Sequence, residues 1–425
     1  MPSLVTSRRP ALGFIFITLV LDILGIGIIV PVLPKLVEHF KGGSVEAAAH
    51  TLGFLSALYA LMQFLFAPVL GSLSDKVGRR PVILFSLFGS GVDYFFLAFA
   101  PSLAWFFVGR MISGITGSSF SAATAYIADV SPPEKRAANF GLVGAAFGLG
   151  FILGPLIGGI LGQYGLHVPF VVAGCLTLAN WLYGLLVLPE SLKPENRRAF
   201  SLARANPVGS LLDLKRFPAV LGLALTHFLI CLAHQVLPST WVLYTSYRYH
   251  WSELQTGVSL AFVGFMAAMV QGGLNRVAVK RLGEAKSASI GLLVATAAYA
   301  LYGFATEGWM VYVIIFFGSA AGLTGPAIQG LISRSVGADV QGEVQGTMTS
   351  LQSLAAIFGP ILATGLFGYF ISDEVPIKIP GIAFFVSAGI SVLSLLIATR
   401  YFKRMPPQAT MPSAVEGEEQ EAEPA

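Results

Sequence analysis

Twelve long apolar stretches follow one another along the chain, and they constrain its fold more than any other feature. A hydrocarbon core of about 30 Å needs about 20 helical residues to cross it. Inside a bilayer the backbone must satisfy its own hydrogen bonds, so such stretches indicate spanning helices. We place these spans at residues 11–34, 52–73, 82–100, 103–127, 138–162, 168–188, 218–245, 254–278, 287–305, 309–333, 343–371 and 379–401. The sequence therefore predicts an all-α integral membrane protein.

The composition places the chain in a lipid bilayer without help from any motif. Of its 425 residues, 55% are apolar and only 11% are charged, whereas soluble domains are about one quarter charged. The basic residues fall in the connections rather than on one face, so nucleic-acid binding has no support. Cys175 and Cys231 both lie inside predicted spans without paired spacing, and we expect neither a disulfide nor a metal nor another cofactor.

The positions of Lys and Arg predict the orientation of the spans. With the N-terminus inside, most basic residues fall in cytoplasmic segments, and those in outer segments are Lys35, Lys41, Arg248 and Lys378. Short cytoplasmic loops carry such an excess in membrane proteins. We therefore expect a multi-pass protein of the inner (plasma) membrane with both termini in the cytoplasm.

The longest connection divides the chain into two halves. Residues 189–217 are rich in proline and basic residues, which is typical of a linker. We expect one six-helix half at residues 1–188, a second at 218–401, and a disordered acidic cytoplasmic tail at 402–425. Two pseudo-symmetric halves of this kind predict a transporter whose site lies at their interface near the middle of the membrane.

A weak internal repeat relates the two halves. The stretch 151–155 has a counterpart at 356–360, and the connection 280–283, Lys-Arg-Leu-Gly, resembles Lys-Val-Gly at 76–78. Lys280 stands where the first half has Asp75. We interpret the second-half connection as having lost its acid.

Asp22, Asp93 and Arg110 are ionisable residues that fall well inside predicted spans, where a charge costs several kcal/mol and indicates function. With a rise of about 1.5 Å per residue, Asp93 lies about 10 Å and Arg110 about 12 Å below the outer surface. This matching depth predicts an ion pair, which either takes part in transport or only fixes the packing of the third and fourth spans. Asp22 lies about halfway along the first span, and we expect it to carry protons or to hold a cationic group of the substrate.

The seventh span offers two histidines in the second half. His227 and His234 are close to two helical turns apart and share one face, with Gln235 beside them. His234 is the deeper one, and it is either a proton carrier or a hydrogen-bonding residue within the bundle. Gln63 and Gln271 either line the cavity or bond one helix to another.

The connection from Gly71 to Arg80 packs one acid and three bases between two spans and leaves room only for a tight turn. It resembles the loop between helices 2 and 3 of the major facilitator superfamily of secondary transporters, Gly-x-x-x-Asp-Arg/Lys-x-Gly-Arg-Arg. The resemblance implies a cytoplasmic latch made by Gly71, Asp75, Lys76, Gly78, Arg79, Arg80 and Asp129. We expect Asp129 to pair with Arg79 or Arg80, and Asp75 to face the positive N-terminal end of the eleventh span.

The fifth span is dense in glycine, which lets a neighbouring helix approach closely. It also matches the antiporter motif of the same superfamily, at Gly150, Gly154, Pro155, Gly158 and Gly159. This match favours export over uptake, while plain close packing is the alternative reading.

Several further stretches resemble the tetracycline exporters and their twelve-helix drug:proton antiporter relatives, including 22–34, 58–81 and 109–117. They cover most of the first half and little of the second. The resemblance implies transport roles for Asp22, Gln63, Asp93 and Arg110. It also implies a histidine in the eighth span and an acid in the ninth, where this sequence has Ala267 and Thr296.

The sequence therefore predicts a proton-coupled secondary transporter that exports amphipathic, tetracycline-like small molecules by alternating access as a monomer. Two alternatives stay open: a carrier of the same fold for one metabolite such as a sugar or a siderophore, and a membrane enzyme or receptor. We expect no enzymatic activity, because the chain shows no HExxH, GxSxG or phosphate-binding loop.

Overall fold

The computed structural model describes residues 12–117, 119–200, 220–337 and 340–403. Its α-helices are α1 (Leu12–Ile29), α2 (Leu33–Phe40), α3 (Val45–Val77), α4 (Arg79–Ala98), α5 (Leu103–Thr116), α6 (Ser119–Val130), α7 (Arg136–Gly162), α8 (Val168–Val187), α9 (Leu221–His234), α10 (Val236–Tyr249), α11 (Glu253–Met269), α12 (Asn275–Leu282), α13 (Glu284–Phe304), α14 (Gly308–Gly318), α15 (Thr324–Arg334), α16 (Gln341–Ile371) and α17 (Ile382–Phe402). Most of the expected linker and the expected acidic tail from residue 404 lie outside the described residues.

The predicted all-α membrane architecture is confirmed. In the described chain, eleven helical segments are long and apolar enough to cross a membrane. The helices α5 and α6, which flank residue 118, occupy the place of the predicted fourth span. Together they account for the twelve spans in their predicted order.

Several spans contain a turn or an irregular helical segment. Pro31 lies in the turn between α1 and α2, and the seventh span is divided at Gln235 into α9 and α10. A five-residue π-helical turn, Val270–Leu274, joins α11 to α12, and a short 3₁₀ turn, Ser319–Leu323, joins α14 to α15. Such irregular turns inside spans often mark functional positions or hinges.

Two ends of the bundle can be distinguished by their connections. We call the end that carries Gly78 and Gly283 the basic end, and the end that carries Gly42 and Trp251 the opposite end. The first half denotes the described residues up to 200, and the second half those from 220.

The halves are joined at the opposite end and separate at the basic end. Buried side chains of both halves, such as Phe106 and Tyr244, belong to one apolar cluster near the opposite end. At the basic end each half has its own cluster, one around Tyr126 and the other around Ile328. Lys35 Nζ donates a hydrogen bond to Ser246 Oγ across the joined end. The space between the halves therefore opens at the basic end.

Candidate functional site

A buried ion pair links α4 to α5. Asp93 is 1% exposed and Arg110 is 9% exposed. Arg110 Nη2 lies 4.0 Å from Asp93 Oδ2, and Ser113 Oγ donates to the same oxygen. Gly109 permits this approach, because a Cβ there would lie 2.9 Å from Asp93 Oδ1. The structure thus brings together the two residues whose matching depth predicted a pair.

Two polar atoms of the ion pair make no hydrogen bond to the described residues. Asp93 Oδ1 and Arg110 Nε are buried and have no hydrogen-bond partner among the described residues. A buried polar atom left without a partner costs about 1–3 kcal/mol, so such atoms need an explanation in a native structure. The free carboxylate oxygen can accept a proton or a donor group of a ligand, and the free guanidinium nitrogen can donate to an acceptor.

Two side chains of α3 complete one wall of this site. Gln63 Nε2 donates to Tyr59 Oη over 3.4 Å. The guanidinium carbon of Arg110 lies 5.7 Å from the centre of the Tyr59 ring, within the range of a cation–π interaction. Gln63 was predicted from the sequence and Tyr59 was not, although their spacing of four residues places both on one face of the helix.

Asp22 lies on the α1 side of the same group of residues. It is half-buried, and one turn further along α1 a Cβ at Gly25 would lie 3.6 Å from the Tyr94 ring. Both phenols, Tyr59 and Tyr94, are within electrostatic reach of the Asp22 carboxylate and of Arg110. The first half therefore gathers the predicted residues Asp22, Gln63, Asp93 and Arg110 into one polar cluster, with Tyr59, Tyr94 and Ser113 added by the structure.

The predicted polar residues of the second half have separate surroundings. His227 Nε2 lies 3.6 Å from Cys231 Sγ, one turn further along α9. His234, the last residue of α9, is exposed and has Nδ1 3.5 Å from Tyr299 Oη of α13. Tyr299 lies one turn beyond Thr296, the position where the resemblance implies an acid. His234 thus faces the helix from which that acid is missing.

Gln235 and Gln271, the two glutamines of the second half that the sequence selected, lie at breaks in their helices. Gln235 separates α9 from α10 and packs against Gly359 of α16, where a Cβ would lie 2.5 Å from Gln235 Cβ. Gln271 is exposed within the π-helical turn between α11 and α12. The structure therefore associates Gln235 with helix packing and leaves Gln271 available for other contacts.

Charged residues at the basic end form a compact ion-pair network. Arg79 Nη1 lies 2.5 Å from Asp75 Oδ1, and Arg79 Nε lies 3.1 Å from Asp129 Oδ2. Arg79 also donates to Ser74 Oγ over 2.7 Å. Arg79 is thus the residue that joins the ends of α3, α4 and α6.

Glu190, which sequence reasoning missed, closes the network from the start of the connection after α8. Its Oε1 accepts from the backbone N–H of Arg79 at 2.9 Å, and its Oε2 from that of Arg80 at 3.3 Å. The carboxylate therefore caps the N-terminus of α4, where unpaired N–H groups and the helix dipole both favour an anion. Gly78 leaves room for this carboxylate, because a Cβ there would overlap Glu190 Oε2 in its present position. No motif signals a contact between residues so far apart in sequence.

Two expectations about this connection are wrong in the structure. The stretch Gly71–Arg80 is not a turn of ten residues: α3 continues to Val77 and α4 begins at Arg79, so only Gly78 lies between the helices. Its φ of +109° is a conformation that favours glycine. Asp75 pairs with Arg79 rather than with the N-terminal end of the eleventh span. In the structure, a Cβ at Gly342, near that end, would meet nothing within 4 Å.

We expect Asp75→Asn to slow turnover about fivefold and to change the half-saturating substrate concentration less than twofold. The Asp75–Arg79 pair, whose carboxylate is only partly buried, contributes about 1 kcal/mol and biases the conformational change rather than substrate contact. Initial transport rates at a series of substrate concentrations give both quantities. Glu195→Gln, an exposed change at the same end, is the matched control. A weakened affinity with unchanged turnover would contradict the prediction.

The glycine-rich face of α7 lies at a junction of three helices. Gly150, Gly154 and Gly158 pack on α1, where a Cβ at Gly154 would lie 2.6 Å from Gly27 Cα. On the other side, a Cβ at Gly159 would lie 2.6 Å from the carbonyl oxygen of Glu253 in α11. Pro155 lies inside α7 without ending the helix. The predicted antiporter motif therefore forms part of the seam between the halves.

The fold and the polar cluster define a membrane transporter of small molecules. The family model described as "Major Facilitator Superfamily" matches residues 15–360. The chain belongs to this superfamily, as its sequence motifs predicted.

Named relatives extend the comparison over most of the chain. It is 42% identical to the tetracycline resistance protein, class C, of Escherichia coli, covering 84% of this chain and 89% of that protein. It is 34% identical to the tetracycline resistance protein, class H, of Pasteurella multocida, covering 94% and 97%. The crystal structure of the human organic anion transporter MFSD10 (TETRAN) superposes with a TM-score of 0.68 at 26% identity, covering 94% and 100%.

Proposed function

We propose that this protein exports tetracycline-like drugs across a plasma membrane in exchange for protons, and that it is not an enzyme. The observation that carries the proposal is the buried Asp93–Arg110 pair, with Asp22 within electrostatic range of the same cluster. The identity with tetracycline resistance proteins over most of the chain supports the choice of substrate class.

Asp22 is the residue that we assign to coupling or to substrate charge. Its position on α1, within electrostatic range of the Tyr59 and Tyr94 phenols that Arg110 also influences, places one carboxylate where it can hold a proton or a cationic substrate. A group that exchanges partners in this way can link proton movement to substrate movement in alternating access.

The second half supplies an alternative carrier for the proton. The resemblance implies coupling residues at positions that hold Ala267 and Thr296 here, neither of which titrates. His234 faces Tyr299, one turn beyond Thr296, and is exposed. We infer that His234 contributes to coupling in place of the missing acid, alongside the first-half cluster, which holds the substrate and includes Asp22 as the other candidate carrier.

The orientation and assembly follow from the same proposal. The basic end, with Lys76, Arg79, Arg80 and Arg281, is placed in the cytoplasm by the positive-inside rule. The open space between the halves then faces the cytoplasm, from which an exporter takes its substrate. Each chain contains a whole cluster of its own, which supports function as a monomer.

The proposal is tested in everted vesicles with an imposed pH gradient, acid inside, while the lumenal pH is followed. Adding magnesium-tetracycline should draw protons out of the lumen, and Asp22→Asn should reduce the response at least twentyfold, because the exchangeable charge is lost. Asp373→Asn, an exposed acid paired with Lys378 at the opposite end, is the matched control and should leave the response unchanged.

Other results of the same assay would change the substrate or the coupling residue in this proposal. Proton movement with a sugar or a siderophore, and none with tetracycline, would replace the drug with a single metabolite. An unchanged response in Asp22→Asn would remove this residue from coupling. His234→Gln then separates the two candidate carriers, since it should flatten the dependence of the rate on pH only if the second half carries the proton.

A further inference from the structure

The second half repeats the core of the ion-pair network at the basic end, Asp75, Arg79 and Asp129, with residues of opposite charge, Lys280, Glu284 and Arg334. Gly78 joins α3 to α4 with a φ of +109°, and Gly283 joins α12 to α13 with a φ of +79°. Aligning the two glycines places Glu284 at the position of Arg79, the first residue of the helix that follows. It also places Lys280 at the position of Asp75, three residues before the glycine.

The ion pairs confirm that the two networks correspond. Arg79 pairs with Asp129 near the end of α6 over 3.1 Å. Glu284 pairs with Arg334, the last residue of α15, also over 3.1 Å. The second-half connection has therefore not simply lost its acid, as the sequence suggested: the acid stands four residues later, at the start of α13.

One contact distinguishes the two networks in this conformation. The first network is complete, since Asp75 lies 2.5 Å from Arg79. In the second, Glu284 is 7% exposed, and its Oε2 is buried without a hydrogen-bond partner among the described residues. Lys280, the counterpart of Asp75, is exposed. The second network thus holds an unused acceptor close in sequence to an exposed cation.

Closure of the basic end should favour an ion pair between the Lys280 ammonium and the Glu284 carboxylate. Water solvates the exposed Lys280 ammonium while the basic end is open, and an approach of the halves that covers this residue would remove that water. A desolvated ammonium gains more from a carboxylate than a hydrated one does, because the local dielectric falls. Glu284 Oε2 is an acceptor at the corresponding position, and Gly330 leaves room for its carboxylate, since a Cβ there would lie 2.5 Å from Oε1.

We propose that Lys280, Glu284 and Arg334 form a second latch, which is completed by a Lys280–Glu284 ion pair when the basic end closes. Lys280 and Glu284 are then positioning residues of the transport cycle: they set the balance between its two conformations without touching the substrate. The inference rests on alternating access in the proposed function, but not on the identity of the substrate.

A distance measurement tests the latch without any transport. Cysteines introduced as Gly141→Cys and Gly342→Cys, at positions with open space in α7 and α16, carry spin labels after Cys175 and Cys231 are replaced by serine. Double electron–electron resonance in lipid nanodiscs then gives the ratio of closed to open basic ends.

Lys280→Ala should lower this ratio about fivefold, the effect of losing one charge-assisted hydrogen bond in the closed state only. Lys286→Ala, an exposed lysine two residues beyond Glu284 on another face of α13, is the matched control and should leave the ratio unchanged. An unchanged ratio in Lys280→Ala, or an equal fall in both variants, would overturn the second latch.

Exchanging the charges of Glu284 and Arg334 distinguishes the latch from a clamp. By a clamp we mean a Glu284–Arg334 pair that only holds α13 and α15 together in both conformations. Glu284→Arg combined with Arg334→Asp restores a pair of opposite charges, but it leaves Lys280 facing a cation. The latch predicts that this double variant keeps a low closed-to-open ratio, and that adding Lys280→Asp restores the ratio to within about twofold of the parent. Full recovery in the double variant would show a clamp and refute the proposal.

The substrate assignment is tested separately. If the proton assay fails with tetracycline while the spin-label ratios follow the predicted order, the substrate is wrong and the latch stands. If tetracycline is transported and the ratios do not change, the latch fails and the proposed function is unaffected.

Discussion

Replacing Arg110 with leucine is expected to reduce transport at least a hundredfold and to lower the stability of the first half by about 3–5 kcal/mol. The change leaves the Asp93 carboxylate, which is 1% exposed, with Ser113 as its remaining hydrogen-bond donor. It also removes the cation beside the Tyr59 ring. Thermal unfolding in detergent measures the loss of stability, and drug-driven proton movement in vesicles measures the loss of transport.

A neutral double variant decides between the two roles left open for this pair. Asp93→Asn with Arg110→Gln keeps the approximate shape of both side chains and removes both buried charges, so most of the stability should return. If the pair only fixes the packing of α4 and α5, transport returns as well. If the pair binds a proton or a substrate group, transport stays at least fiftyfold below the parent. We expect the second result, because Asp93 Oδ1 and Arg110 Nε lack partners among the described residues.

Hydropathy predicted the number and order of the spans, but not where their helices end. The predicted second span, 52–73, is the middle of a helix from Val45 to Val77. The length of an apolar stretch matches the thickness of the hydrocarbon core. The ends of a helix depend instead on capping groups, which lie outside that core. Ser44 accepts from the backbone N–H of Ala47 at one end, and Gly78 ends the helix at the other. The supposed turn at 71–80 was therefore mostly helix.

The depth of a residue in its span was enough to pair Asp93 with Arg110, because adjacent antiparallel helices bring equal depths together. Contacts that depend on tertiary packing gave no such signal. Glu190 reaches the backbone of Arg79 from a position 111 residues away. The second network gave no signal for another reason: the position of Asp75 holds Lys280, and the acid of the second half stands at Glu284, where the first half has Arg79.

Replacing a glycine of the α7 seam with alanine adds one methyl group, and the effect should depend on the atoms that this methyl group would contact. A Cβ at Gly257 of α11 would overlap the carbonyl oxygen of Pro155, and a Cβ at Gly158 would overlap that of Ile28. Backbone atoms cannot rotate away as a side chain can, so each alanine must push two helices apart at a cost of about 1–3 kcal/mol. Gly148→Ala, with open space around it in the same helix, is the matched control.

The two alanine substitutions should have different effects, because each one separates a different pair of helices. Gly158 packs against α1 of its own half, so Gly158→Ala should lower thermal stability and the amount of folded protein. Gly257 packs across the seam, so Gly257→Ala should destabilise only the conformation in which the opposite end is joined. In the spin-label experiment this raises the ratio of closed to open basic ends about tenfold. Transport should also fall at least tenfold, because a cycle needs both conformations. A ratio that stays at the parent value in Gly257→Ala would mean that this contact does not hold the two halves together.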